Sequence, residues 1–218
     1  MDPERLPCCG PAFAKLFDER EARHDLEAYR RGGPSAATRQ LINVLTEDGI
    51  QDAELIDIGA GVGAIFNELL AAGAATALDV DYSRAFIEVA REESARRGHA
   101  ERVEFRFGDF VQLAPEIRSA DVVTLDRVIC CYPNARALIG LSAARARRLY
   151  GLVAPVDAWW TRAAAGLLNA LMWLARRHMR FYVHRRALVD QLLARAGFAP
   201  ITRQRAGFWE VAAYRRRA

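Results

Sequence analysis

The sequence predicts an α/β fold: a doubly wound sheet of seven mostly parallel strands, closed by an antiparallel C-terminal hairpin and preceded by a helical N-terminal segment. Three observations carry this reading. From residue 54 onward, short apolar runs alternate with longer segments of helical period, the pattern of strands covered by helices on both faces. The run from Leu55 to Gly63 is an apolar strand broken by Gly59, Gly61 and Gly63, where a backbone that turns sharply against a neighbour or ligand needs residues without Cβ. The last two strand-like segments are separated only by Ala206-Gly207, which reads as a hairpin turn.

Taken in order, residues 13–31 read as an amphipathic helix with Phe13, Leu16, Phe17, Leu26 and Tyr29 on its apolar side, stopped at Gly32-Gly33-Pro34. A second helix over 35–48 turns Leu41, Ile42 and Leu45 inward. The alternation then runs strand 54–58, helix 63–72, strand 75–80, helix 83–97, strand 102–107 and strand 121–125. It continues with helix 134–147, strand 148–153, an apolar helix over 156–177, a helix 185–196 closed by Gly197, and strands 199–205 and 209–215. We divide the chain into a helical lid over 1–34 and one domain over 35–218, with an aromatic-rich insert at about 155–184. A chain of 218 residues suits a single core.

Composition narrows the function classes. With 52% hydrophobic and 27% charged residues and no low-complexity tract, the chain is globular. Its net charge of +4 rests on arginine, Lys15 being the only lysine, and the arginines are scattered over helices rather than gathered into a nucleic-acid surface. The cysteines form two adjacent pairs, Cys8-Cys9 and Cys130-Cys131, without metal-site spacing, so no metal is expected. The opening Met1-Asp2-Pro3-Glu4-Arg5 is charged and turn-like, unlike a secretory signal, and a reducing cytoplasm is the expected setting. Between Arg162 and Arg176 lie thirteen residues rich in Ala, Leu, Met and Trp, interrupted by Asn169; they fall short of the roughly 20 a membrane span needs and read as a buried or interfacial helix.

The segment Asp57-Ile58-Gly59-Ala60-Gly61-Val62-Gly63 resembles the first motif of class I S-adenosylmethionine (SAM)-dependent methyltransferases, an acid followed by alternate glycines. Three further landmarks follow in that family's order: Ala77 to Ser83 containing Asp79 and Asp81, Phe107-Gly108-Asp109-Phe110, and Ala120 to Asp126. The resemblance covers about residues 40–155 and implies a Rossmann-like fold and a cofactor, SAM, released as S-adenosylhomocysteine. It also implies roles. The loop Gly59, Ala60, Gly61 and Gly63 approaches the methionine and ribose portions, and Asp57 organises contacts around the methionine. Asp81, 81 − 59 = 22 residues beyond Gly59, takes the ribose hydroxyls in preference to Asp79. Tyr82 lies along the adenine, Asp109 and Phe110 receive its edge, and Asp126 stands where cofactor and acceptor meet. Each acid after a strand also reads as a helix N-cap.

The acceptor side is less defined. Methyl transfer from a sulfonium needs alignment and exclusion of water more than a strong base. The stretch Asp126-Arg127-Val128-Ile129-Cys130-Cys131-Tyr132-Pro133 departs from the Asn-Pro-Pro-Tyr type of signature, which argues against DNA and amide acceptors. Tyr132 and His184 are the candidate catalytic residues; Tyr29, Cys131, Tyr132 and Trp159 are the candidate acceptor contacts. The layout is similar to small-molecule methyltransferases such as the magnesium-protoporphyrin O-methyltransferases, so a small apolar or planar acceptor with an oxygen, sulfur or nitrogen nucleophile is expected. A non-catalytic SAM-sensing module and an RNA methyltransferase remain alternatives. A nicotinamide enzyme would want glycine at position 64, where the chain has Ala64.

Overall fold

The computed structural model describes residues 17–175 and 180–217. Several of its helices begin where a polar side chain satisfies one of the first free amides. Asp18 accepts from the Glu21 amide to start α1 (Glu19–Gly32), and Ser35 accepts from Thr38 to start α2 (Ala36–Glu47). The alternation then runs β1 (Glu54–Ile58), α3 (Ala64–Ala71), β2 (Thr76–Asp81), α4 (Arg84–Arg96), β3 (Val103–Phe107), a one-turn α5 (Phe110–Leu113) and β4 (Ala120–Asp126). It ends with α6 (Ala135–Arg145), β5 (Ala146–Pro155), α7 (Trp159–Leu174), α8 (Arg186–Arg195), β6 (Phe198–Ala206) and β7 (Trp209–Arg216).

The seven strands form one sheet in the order β3-β2-β1-β4-β5-β7-β6. β1 to β5 are parallel, and β7 runs antiparallel between β5 and β6, as the hairpin reading required. Both faces are covered. Leu41 and Leu45 of α2 and Phe66 and Leu69 of α3 pack on one face against Leu55 and Val122. Leu138 and Ile139 of α6 and Val189 and Leu193 of α8 pack on the other with Val123 and Tyr150, whose hydroxyl meets Ser142 at 2.8 Å. Strand order reverses between β1 and β4, so a crevice opens at their C-terminal ends, the place where such sheets bind ligands.

Helix α1 is tied to α4. Ala22 and Leu26 pack against Phe86 and Val89, and Arg23 and Arg30 pair with Glu92 and Glu93. Three 3-10 turns, Ala100–Arg102, Ala114–Glu116 and Ile129–Cys131, and the single turn of α5 fall where the sequence reading had loops. They are too short to leave a periodic signature. The apolar helix begins at Trp159, three residues later than expected, because Pro155 and the Asp157 loop carry the chain out of β5 first. It is not a core helix: only Thr161 and Ala165 are buried, and the outward side is apolar. Among the described residues no helix is long and apolar enough to cross a membrane. Cys8, Cys9, Phe13, Leu16 and Arg176 lie outside the described residues.

Candidate functional site

The crevice at the ends of β1, β2 and β4 holds a cavity of about 360 Å³. Its floor is the glycine loop. Gly59 and Gly61 both have left-handed backbone, φ +63 and +59. A Cβ at Gly59 would stand 2.7 Å from Cγ2 of Val128, so the loop and the segment after β4 close on each other only because position 59 has no side chain. Gly63 serves differently: it lies outside the cavity as the left-handed N-cap of α3, where a Cβ would meet the Phe66 ring at 2.4 Å.

Asp81 stands at the cavity edge with its carboxylate fixed by the main chain, Oδ1 accepting from the Ser83 amide at 2.7 Å and Oδ2 from the Gly61 amide at 3.3 Å. Burial raises its pKa to about 6, against the pull of the amides of Ser83, Gly61 and Tyr82. Tyr82 beside it stacks on Phe107, centroids 5.6 Å apart. Asp109 caps α5, accepting from the Val111 amide, and receives the Tyr132 hydroxyl at 2.9 and 3.0 Å. Phe110 follows it into the wall. Asp126 accepts from the Thr38 hydroxyl at 2.6 Å and from Arg127 at 3.0 Å. Arg127 itself has φ +60, a strained setting for a residue with a side chain.

Asp25, Asp81, Asp109 and Asp126 face the cavity together with one guanidinium, Arg127. The surplus of carboxylates favours a positively charged ligand and opposes a polyanion. Phe17, Phe86, Phe181 and Trp209 supply apolar walls that keep water out. Cys130 and Cys131 also line it, 3.8 Å apart at sulfur. Cys130 donates to the Arg127 carbonyl; its contact with Cys131, with burial, pushes its thiol far up.

Several expected site residues lie elsewhere. Asp57 is buried beside β4, taking the Thr124 hydroxyl at 2.7 Å, and does not reach the cavity; desolvation raises its pKa to about 7. Ala60 is half-buried and outside the lining. Tyr29 points between α1 and α3, its hydroxyl donating to Glu68 at 2.8 Å, so it anchors the helix, while Phe17 and Asp25 provide the cavity contacts. Trp159 is 80% exposed at the start of α7, and Trp160 takes the inward position against Phe208.

His184 lies in a separate small hollow near Arg186 and Glu210. Its Nε2 meets the carbonyl oxygens of Ile129 at 2.8 Å and Tyr132 at 3.2 Å, so that nitrogen carries a proton and donates. Burial lowers the ring's pKa and keeps it neutral. The geometry makes His184 a strut under the Ile129–Tyr132 turn. The Tyr132 hydroxyl is likewise committed to Asp109, and burial with that carboxylate holds it well above the usual phenol range.

Residues 55–148 match the family model described as a methyltransferase domain, as the sequence motifs implied. The fold is shared with solved class I methyltransferases. The magnesium protoporphyrin IX methyltransferase of Synechocystis PCC 6803, solved with bound S-adenosylhomocysteine, is 20% identical at a TM-score of 0.72, covering 94% of this chain and 97% of that one. An O-methyltransferase family protein from Burkholderia thailandensis is 20% identical at 0.72, covering 98% and 66%. The pyocyanin biosynthetic protein PhzM is 17% identical at 0.57, covering 88% and 62%. No curated protein sequence matches the chain.

Proposed function

We propose that this chain, built around the domain matched at residues 55–148, is a SAM-dependent methyltransferase that passes a methyl group to a small-molecule acceptor and releases S-adenosylhomocysteine. The observation that carries it is the cavity: two left-handed glycines, a main-chain-fixed Asp81 and a surplus of carboxylates, set where the strand order reverses. SAM fits that donor set, being cationic at sulfur and at its ammonium and carrying ribose hydroxyls that a carboxylate accepts. Asp81 would hold the ribose, Asp109 and Phe110 the adenine, and the Gly59–Gly61 turn the methionine end.

Bound there, SAM supplies a methyl carbon on an already activated leaving group. The protein's part is alignment and dryness. Thr38 and Arg127 fix Asp126 facing the cavity, while Phe181 and Trp209 exclude water from the acceptor end. Tyr132 and His184 have their protons engaged, so the cavity orients an acceptor that brings a competent oxygen, sulfur or nitrogen lone pair and relies on no dedicated base. The apolar walls favour a small apolar or planar acceptor, and the acidic lining disfavours RNA.

Titration calorimetry tests the cofactor: SAM and S-adenosylhomocysteine should bind with micromolar Kd, about −8 kcal/mol. Absence of both heat and thermal shift would remove the reading. Incubation of a metabolite extract with deuteriomethyl-SAM, followed by mass spectrometry, identifies the acceptor. Binding without label transfer to any metabolite would favour a sensing role.

A further inference from the structure

Helix α7 is apolar on the side it turns away from the protein. Trp159, Leu167, Leu171, Trp173 and Leu174 are 80, 64, 56, 77 and 74% exposed, and Ala163, Gly166 and Ala170 lie between them. A helix apolar all round is normally buried, and an apolar face of this kind marks a surface that something covers. Its 16 residues span about 24 Å, too short to cross a bilayer, and a tryptophan stands at each end.

Charge identifies the cover. The sequence from 156 to 187 contains six arginines and one acid, Asp157. Asp157 pairs with Arg162. The chain after the helix runs back along it, pinned where the Asn169 side chain brackets Phe181 at 2.8 Å in both directions and where the Arg186 amide meets Asp157 at 2.9 Å. Arg180 and Arg185 lie on that return path and are exposed. Tryptophan and leucine on the open side with arginine beside them is the chemistry of a helix lying in the headgroup layer of an anionic membrane. A second copy of this chain would instead bring arginine against arginine at the rim.

We propose that α7 docks this protein in plane on an anionic phospholipid surface, Trp159, Leu167, Leu171 and Trp173 entering the acyl boundary while Arg180 and Arg185 meet the headgroups. Docking does not depend on the chemistry in the cavity. Because Asn169 grips Phe181, and the Tyr182 amide donates to the Cys130 carbonyl at 2.7 Å, the docked helix is joined directly to the cavity wall.

Sedimentation of the full chain with vesicles tests this, using pure phosphatidylcholine and equal parts phosphatidylcholine and phosphatidylglycerol. Binding should be confined to the anionic vesicles, fall at high salt, and shift tryptophan emission to the blue. Leu167→Asp with Leu171→Asp should lower the partition coefficient at least about tenfold. Arg180→Glu with Arg185→Glu, away from any packed face, should do so at low salt and serves where the first variant misfolds. Equal binding to both vesicles, or to neither, overturns the proposal. So does a dimer in sedimentation equilibrium that the Leu167→Asp, Leu171→Asp variant dissolves without any vesicle binding by the wild type.

Discussion

Asp57 and Asp79 are register partners on β1 and β2, and both carboxyl groups are buried on one side of the sheet. Asp57 has one oxygen on Thr124; its other oxygen and both of Asp79's have no partner among the described residues. Burial raises both, Asp57 to about 7 and Asp79 well above the ordinary carboxylate range, where Asp81 and Asp57 add to the effect. A carboxyl whose folded pKa exceeds its unfolded one near 3.8 binds more protons in the native state. For Asp57 this stability is full below about pH 4 and falls as pH rises through about 7; for Asp79 it is lost as pH rises through its own raised pKa. Asp79→Asn should raise stability by about 1–2 kcal/mol at pH 8 and change little at pH 4. Urea unfolding at both values checks this; a variant less stable at pH 8 refutes it.

Gly59 and Val128 make the tightest demand in the cavity floor. Gly59→Ala should cost the left-handed strain of about 1–2 kcal/mol, plus a clash with Val128 Cγ2. The double variant Gly59→Ala, Val128→Ala should recover the clash and keep the strain, so the two changes will not add. Additive losses in a denaturant cycle would mean the two segments are not in contact.

The glycine loop, the seven strands and the longer helices between them are legible in the sequence because each is specified locally, whereas the single turn of α5 is too short to leave a period. Alternation sets strand faces, and a backbone forced to positive φ at residues 59, 61 and 63 selects glycine whatever surrounds it. Asp81, Asp109 and Asp126 were legible for a related reason, as each ends or follows a strand at the sheet's ligand-binding edge. What local pattern does not contain is which side of a helix meets which neighbour. Periodicity puts Tyr29 on the apolar side of α1, but that side faces α3, and the cavity contact falls to Asp25, which periodicity marks only as a polar surface residue. Trp159 and Trp160 are indistinguishable by composition; one packs on Phe208 and the other faces outward. Trp209 enters the cavity through a tertiary crossing that one sequence does not reveal, whereas Arg127 lies in the stretch after β4 that the sequence already assigns to the acceptor side.

If Asp81 holds the ribose, SAM affinity will follow its ionisation. With a folded pKa of about 6 the charged, hydrogen-bond-accepting form grows between pH 5 and 7, so Kd should fall by about tenfold over that interval. Asp81→Asn should bind more weakly at pH 7 and show a flatter profile. An unaltered pH profile in the variant would take Asp81 out of the binding site.

Tyr132→Phe separates orientation from proton transfer. The phenol gives its hydrogen to Asp109, so losing it should loosen Asp109 and weaken SAM binding about threefold to tenfold. Single-turnover transfer at saturating SAM should stay within about tenfold of wild type. A loss of several hundredfold in transfer with SAM affinity unchanged would make Tyr132 the proton-transfer group after all.

Glu93 is the hinge of the α1 attachment. Its side chain is fully buried in α4, yet takes bonds from Arg30 at 2.9 Å, Arg96 at 2.8 and 2.5 Å, and Arg97 at 2.9 Å. Burial alone would raise its pKa; the guanidiniums outweigh it and hold it at about 2. A carboxylate lowered in the fold stabilises above its unfolded pKa near 4.5, and that contribution drains away as pH falls toward 2. Glu93→Gln leaves three guanidiniums around a neutral amide and should cost about 3–5 kcal/mol near neutral pH, whereas Arg96→Ala, on the half-exposed partner, should cost under about 1 kcal/mol. Because Arg30 is α1's link to this acid, and α1 brings Asp25 to the cavity, Glu93→Gln should also weaken SAM binding and open the 19–32 segment to protease. Equal small losses for both variants would mean that α1 is held by its other contacts, Leu26, Ala22, Tyr29 and the Glu92 pairs, and not through Glu93.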